Sequence, residues 1–230
     1  MVANWSGTSY SVEAHRELHA AVIDTGDKDG EELWVMQLGQ PDRHRVVKLL
    51  RGRIPRARAS QSFEAGLDAL DFHRAIVTPG AWELDLGPDN LFHWGREGRP
   101  AATGEVWEAT QPLPQDGPAA AEFLQAPWTV TLAPLEGTPA RHFVIIVSPQ
   151  GEITATVGAC TLRGRLHALE GSDWFDVVLR LTDCGSAYDA TPLRGFGKLL
   201  RPPAPVRFVG AALTPSGRTG LSISALPVLQ

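Results

Sequence analysis

The stretch CTLRGRLHALEGSDWFDVVLRLTDC, residues 160–184, decides the fold class. Its first arm puts Leu162, Gly164, Leu166 and Ala168 on one side and Thr161, Arg163, Arg165 and His167 on the other. In the second arm Phe175, Val177, Leu179 and Leu181 alternate with Asp176, Val178, Arg180 and Thr182. A period of two over this length marks two strands with one dry and one wet face. Facing the apolar rows puts Leu162 opposite Leu181 and Leu166 opposite Val177, around a two-residue Gly171-Ser172 loop. Cys160 then opposes Asp183, and Cys184 points to the other face. One bulge near Asp183 would bring the two thiols together. The sequence leaves both a Cys160–Cys184 disulfide and a pair of buried thiols open.

Outward from this hairpin, further strand-like runs follow one another at hairpin spacing. They are Trp128–Ala133, His142–Ser148, Glu152–Val157, Leu193–Leu200, Val206–Leu213 and Leu221–Ala225, with turns such as SPQG, RPPAP and TPSGRTG between them. With the hairpin this makes an antiparallel meander of about eight strands, which closes naturally into an up-and-down barrel. A β-sandwich is the competing architecture.

The N-terminal half is also β-rich, with runs at Trp5–Val12, His15–Asp24, Glu32–Leu38 and Val46–Leu50, then Trp82–Leu86, Leu91–Trp94 and Gly104–Ala109. One helix is expected over Ser60–Ile76. Ser62 would cap it, Phe63, Leu67, Leu70 and Ile76 would form its apolar stripe, and Pro79-Gly80 would close it. TQPLPQDGPAAAE, rich in Pro, Ala and Gly, reads as a linker over 111–125, dividing a unit at 1–110 from a barrel-like domain at 126–230. A strand run opening on Trp5, against one opening on Trp128, is too thin a match to count as an internal repeat.

Trp128 opening a strand, the Ser-Pro-Gln-Gly turn, GEITATVGACTLRGRL and a later strand ending in Asp-Cys-Gly resemble small bacterial β-barrel domains of the calycin type, over residues 126–226. The resemblance implies a barrel with an internal cavity and carries over no catalytic residue.

Composition bounds the function classes. A net charge of −5 removes the global positive field that nucleic acid or an anionic membrane surface would require. No apolar run reaches the ~20 residues of a membrane-spanning helix. MVANWSGTSYSVEAHR has no basic segment followed by an apolar core, so the expected compartment is cytoplasmic, unless a cleaved leader sends the protein out. His15 and His19 would lie about 13 Å apart on one face of a strand, too far to share an ion, and no metal site is expected. No nucleophile-elbow, phosphate-loop or dinucleotide motif occurs, so no catalytic residue and no cofactor is assigned. The basic residues from Arg43 to Arg58 read as a wet strand face with its loop.

The seven tryptophans mostly open or punctuate strands, where Trp anchors β cores. His93-Trp94, Trp128 and Trp174 are the candidate ligand-binding positions, for a small apolar or sugar-like ligand. A non-enzymatic ligand-binding barrel is therefore the first expectation. A protein–protein or assembly component, including a homo-oligomer, is the second, and an enzyme with a cleft between the halves is the third. A deep apolar pocket with a few convergent polar groups would favour the first; a filled barrel interior with a broad exposed apolar patch would favour the second.

Overall fold

The computed structural model describes residues 3–10, 15–26, 30–39, 45–55, 61–86, 90–94, 106–110, 124–137, 139–185, 188–201 and 205–228, with backbone alone for 61–63, 86 and 90–94. Among these the protein is built of strands, and no helix occurs. The chain divides into two compact units. One is Met1–Arg43 with Val47–Asp71 and Val77–Gln115; the other is Asp116–Gln230 with two short pieces, His44–Val46 and Phe72–Ile76. The expected linker over 111–125 lies outside the described residues as far as 123.

In the first unit, β1 (Ala3–Tyr10), β2 (His15–Ile23), β3 (Glu31–Leu38), β4 (Val46–Ile54), β5 (Gln61–Asp71), β6 (Ile76–Leu86), β7 (Asn90–Trp94) and β8 (Val106–Thr110) form a closed barrel in sequence order. β8 returns to pair with β1, from Ser6–Thr110 to Tyr10–Val106. The inward row includes Trp5, Leu18, Ala20, Val22, Leu33, Val35, Leu67, Trp82, Leu84 and Trp107. Trp82 and Trp107 stack with centroids 5.3 Å apart. Closure depends on Gly7, where a Cβ would sit 2.0 Å from the Glu108 carbonyl oxygen on β8. Only glycine lets the first and last strands approach this closely.

The expected helix over 60–76 is a correction. Residues 61–71 are β5, residues 72–75 make a turn with Ala75 at φ 57°, and β6 begins at Ile76. The same residues support two periods. Ala65, Leu67 and Ala69 alternate into the core while Glu64 and Gly66 stay exposed. Pairing with β4, which sets Leu50 against Ala69 and Leu49 against Leu70, satisfies the backbone in the extended form. Gly66 would also weaken a helix by about 1 kcal/mol, so tertiary pairing wins. Pro79-Gly80 consequently lies inside β6 and terminates nothing.

The second unit is one sheet of eight strands: β9 (Pro127–Pro134), β10 (Arg141–Ile146), β11 (Glu152–Val157), β12 (Cys160–Ala168), β13 (Trp174–Thr182), β14 (Pro192–Leu200), β15 (Arg207–Leu213) and β16 (Gly220–Pro227). β9 pairs with both β10 and β16, so the sheet rolls up until β10 and β11 are its two edges. A single continuous rolled sheet replaces the sandwich alternative. At the root of the β10–β11 hairpin, Val147 bridges Ile153 and the Ser148 N–H donates to the Glu152 carbonyl at 2.9 Å. Beyond that point no ladder joins the two edges, which leaves a seam.

The central hairpin has Leu162 opposite Leu181 and Leu166 opposite Val177. Its turn is longer than the expected two residues. Leu169 N–H donates to Trp174 O at 2.8 Å, so Glu170–Asp173 forms the connection, with Gly171 at φ 68°.

Candidate functional site

The inner wall of the second unit is apolar on every strand. Trp128, Val130, Phe143, Ile145, Ile153, Leu162, Phe175, Val177, Leu193, Phe208 and Ile223 all belong to one buried cluster. Inside it lies a cavity of about 30 Å³, lined by Leu124, Trp128, Val147, Leu166, Phe208 and other apolar side chains. That is room for little more than a water molecule, far below the roughly 300 Å³ of the smallest typical ligand pockets. One polar atom is out of place there. The indole N–H of Trp128, a residue 1% exposed, is buried with no hydrogen-bond partner.

One end of this unit is tied down by residues 183–185 and 188–191. Asp183 takes a left-handed conformation, φ 57°, which turns Cys184 towards Cys160; the Sγ atoms are 2.05 Å apart and the Cα atoms 4.3 Å. The Asp189 carboxylate accepts from the backbone N–H groups of Cys184, at 3.0 Å, and Gly185, at 2.9 Å. Arg141 donates to the Cys184 carbonyl. Tyr188, buried, donates its hydroxyl to Glu136, and Thr219 donates to the other oxygen of the same carboxylate. Burial first, and then the bond to Glu136, push the Tyr188 phenol well above its ordinary range, so it stays a donor. Three separate turns are thereby fastened at one end of the barrel.

The outer surface of β10, β9 and β16 is different in kind. Val144 and Ile146 on β10 are 63% and 62% exposed, and Leu226 and Val228, on and just after β16, are 39% and 40% exposed. Register makes them one patch. Val144 lies opposite Thr129, which lies opposite Leu226. Ile146 lies opposite Pro127, whose carbonyl accepts from Val228 N–H at 2.9 Å. The patch is about 10 Å wide across three strands. On the same face His142 Nδ1 meets Thr131 Oγ1 at 3.0 Å.

Trp128 and Trp174, the two candidate ligand positions of the second unit, lie on opposite faces of its sheet. Trp128 faces the interior of the second unit. Trp174 sits on the opposite face of its sheet, paired in register with Lys198, whose ammonium lies 5.9 Å from the ring centroid. His93 and Trp94 belong to β7 of the first unit, opposite Leu84 and Glu83, and their side chains lie outside the described ones. Among the described residues, no group of three or more His, Cys, Asp or Glu side chains is placed to hold a metal ion, and no helix is long and apolar enough to cross a membrane. No protein-family model, curated protein or solved structure matches this chain.

Proposed function

We propose that the protein is an assembly component, and that it self-associates through the outer face of β10, β9 and β16. The supporting observation is the pairing of a filled barrel interior with the Val144–Ile146–Leu226–Val228 patch on its surface. Val144 and Ile146 on one side and Leu226 and Val228 on the other flank Thr129 and Pro127 of β9, and in a two-fold interface one such patch serves both copies. Its modest width fits a weak, concentration-dependent dimer, at the low end of interface sizes. The Cys160–Cys184 bond supports action in an oxidising compartment, in place of the cytoplasmic expectation. Sedimentation velocity over a concentration series tests the reading. Wild type should move reversibly from monomer to dimer, and Val144→Lys/Ile146→Lys should remain monomeric. A wild type that is monomeric throughout overturns the proposal.

A second reading, small-ligand binding inside the barrel, has the calycin likeness and the lone Trp128 N–H behind it. The present cavity admits no such ligand, so binding would require the β10–β11 seam to open. Native mass spectrometry separates the two readings: a dimer of bare mass supports assembly, and a monomer carrying extra mass supports the ligand.

A further inference from the structure

On the outer face of the first unit, two paired strands assemble a constellation that belongs to neither reading above. β1 and β2 run antiparallel with Ser6 opposite His19 and Thr8 opposite Glu17. Trp5 and Leu18, each adjacent in sequence, point into the barrel, so Ser6, Glu17 and His19 share the outer face. Ser6 Oγ lies 3.0 Å from His19 Nδ1, and His19 Nε2 lies 2.8 Å from Glu17 Oε1. His19 is 4% exposed, and Ser6 is half-buried. Thr110, opposite Ser6 on β8, is exposed on the same face.

The order hydroxyl, imidazole, carboxylate is the one that activates a serine. Glu17 accepts from Nε2–H and so fixes the tautomer, leaving the Nδ1 lone pair directed at the Ser6 hydroxyl. As Oγ attacks an electrophile, Nδ1 can take the hydroxyl proton. The imidazolium that forms is then held against the Glu17 carboxylate with little water to screen the pair.

We propose that Ser6 is an activated nucleophile with His19 as its base and Glu17 as the residue that positions His19, acting on small acyl esters that approach half-buried Ser6 from the exposed Thr110 side. In the first step the Ser6 Oγ–acyl bond forms, the ester C–O bond breaks, and the alcohol leaves with the proton that His19 took from Ser6. In the second, water attacks the acyl-serine, His19 accepts the water's proton, and the carboxylic acid is released as Ser6 regains its own.

A neutral fluorophosphonate tests the first half without knowledge of the substrate. The Oγ–P bond forms, P–F breaks, and fluoride leaves while His19 takes the proton. Peptide mass spectrometry should place one label on Ser6 of the intact protein. The labelling rate of wild type should rise with pH through a single ionisation. His19→Gln should slow labelling by about 100-fold or more and Glu17→Gln by about 10-fold, with far-UV circular dichroism unchanged. Absence of label on Ser6, or a Ser6 labelling rate that follows neither pH nor the Glu17→Gln substitution in the folded protein, overturns the proposal. The wild-type pH profile decides the matter even where His19→Gln fails to fold.

Discussion

Replacing both Cys160 and Cys184 by alanine should destabilise the second unit alone, and by an amount that follows from the length of chain the bond closes. The cysteines are 24 residues apart. Chain-entropy arguments give a cross-link over a loop of that length about 3.5 kcal/mol, because the oxidised unfolded chain has fewer conformations to regain. The native loop has other fastenings: Asp189 still accepts from two N–H groups, and Arg141 and Tyr188 still hold their partners. The fold should therefore persist in the variant, with its stability changed mostly through the unfolded state.

Hydrogen exchange read peptide by peptide is the suitable assay, since it assigns an opening free energy to each unit separately. Slow amides of β12–β14 should exchange about 400-fold faster in the variant, the equivalent of 3.5 kcal/mol. Amides of β2 and β3 should not change. For a unit spanning Asp116–Gln230, the same loss lowers the midpoint of thermal unfolding by about 14 °C. Unchanged exchange in β12–β14 would refute the unfolded-state argument. So would rapid exchange confined to residues 183–191 with the rest of the sheet protected, because that would mean the bond holds the loop and not the fold.

Three further outcomes are expected. Tyr188→Phe removes the hydroxyl that bonds Glu136 and Thr219 and should reduce stability by about 1 kcal/mol in urea titrations. Because the folded phenol is held above its ordinary pKa of about 10, unfolding releases a proton at alkaline pH. Wild type should thus lose stability as pH rises past about 10, by more than Tyr188→Phe does over the same range. Gly197→Ala puts a Cβ 2.3 Å from Phe208 Cζ, and that ring packs edge-on against Phe175 at 5.7 Å. Overpacking of about 1–3 kcal/mol should appear as a lower denaturation midpoint of the second unit. Trp107→Ala, which removes one half of the Trp82 stack, should cost the first unit about 3–5 kcal/mol and leave exchange in β12–β14 unchanged.

How much of this was legible differs by element. From Trp128 onward each expected strand lies within a residue or two of an observed one, because dry and wet faces alternate cleanly and glycine or proline turns separate them. Residues 60–76 misled because Leu67 and Leu70 fit a helical stripe while Ala65, Leu67 and Ala69 fit a strand. Only the partner strand β4 decides between those periods. The closed barrel of the first unit was hidden for a related reason: its final ladder joins β1 to β8 across a hundred residues, and no local pattern announces such a pair. The Ser6–His19–Glu17 line was missed because neither histidine motif nor serine motif carries it. Glu17 and His19 are neighbours on one strand, but Ser6 joins them only through the β1–β2 register. A reader who paired Trp5 with Ala20, placing both inside, would have set Ser6 beside His19 and had a signal to follow.

The two barrels finally differ at one place, and that difference bears on where a partner would sit. The first unit has no open edge, since Gly7 lets β1 and β8 close together. The second leaves β10 and β11 as edges, which soluble proteins ordinarily protect with charge, proline or a covering segment. The two edges are treated unequally. The exposed side chains along β11 are Glu152, Thr154, Thr156 and the terminal Val157, so that edge is mostly polar. β10 instead exposes Val144 and Ile146 with only His142 and Arg141 before them. Polar substitution at either apolar position would cost the barrel little, because both side chains already face water. Retaining two large aliphatic residues on a free edge has no folding benefit within the unit and carries an aggregation risk. A second copy laid over β10 would remove that risk, which is why the proposed interface is centred on this strand and not on β11.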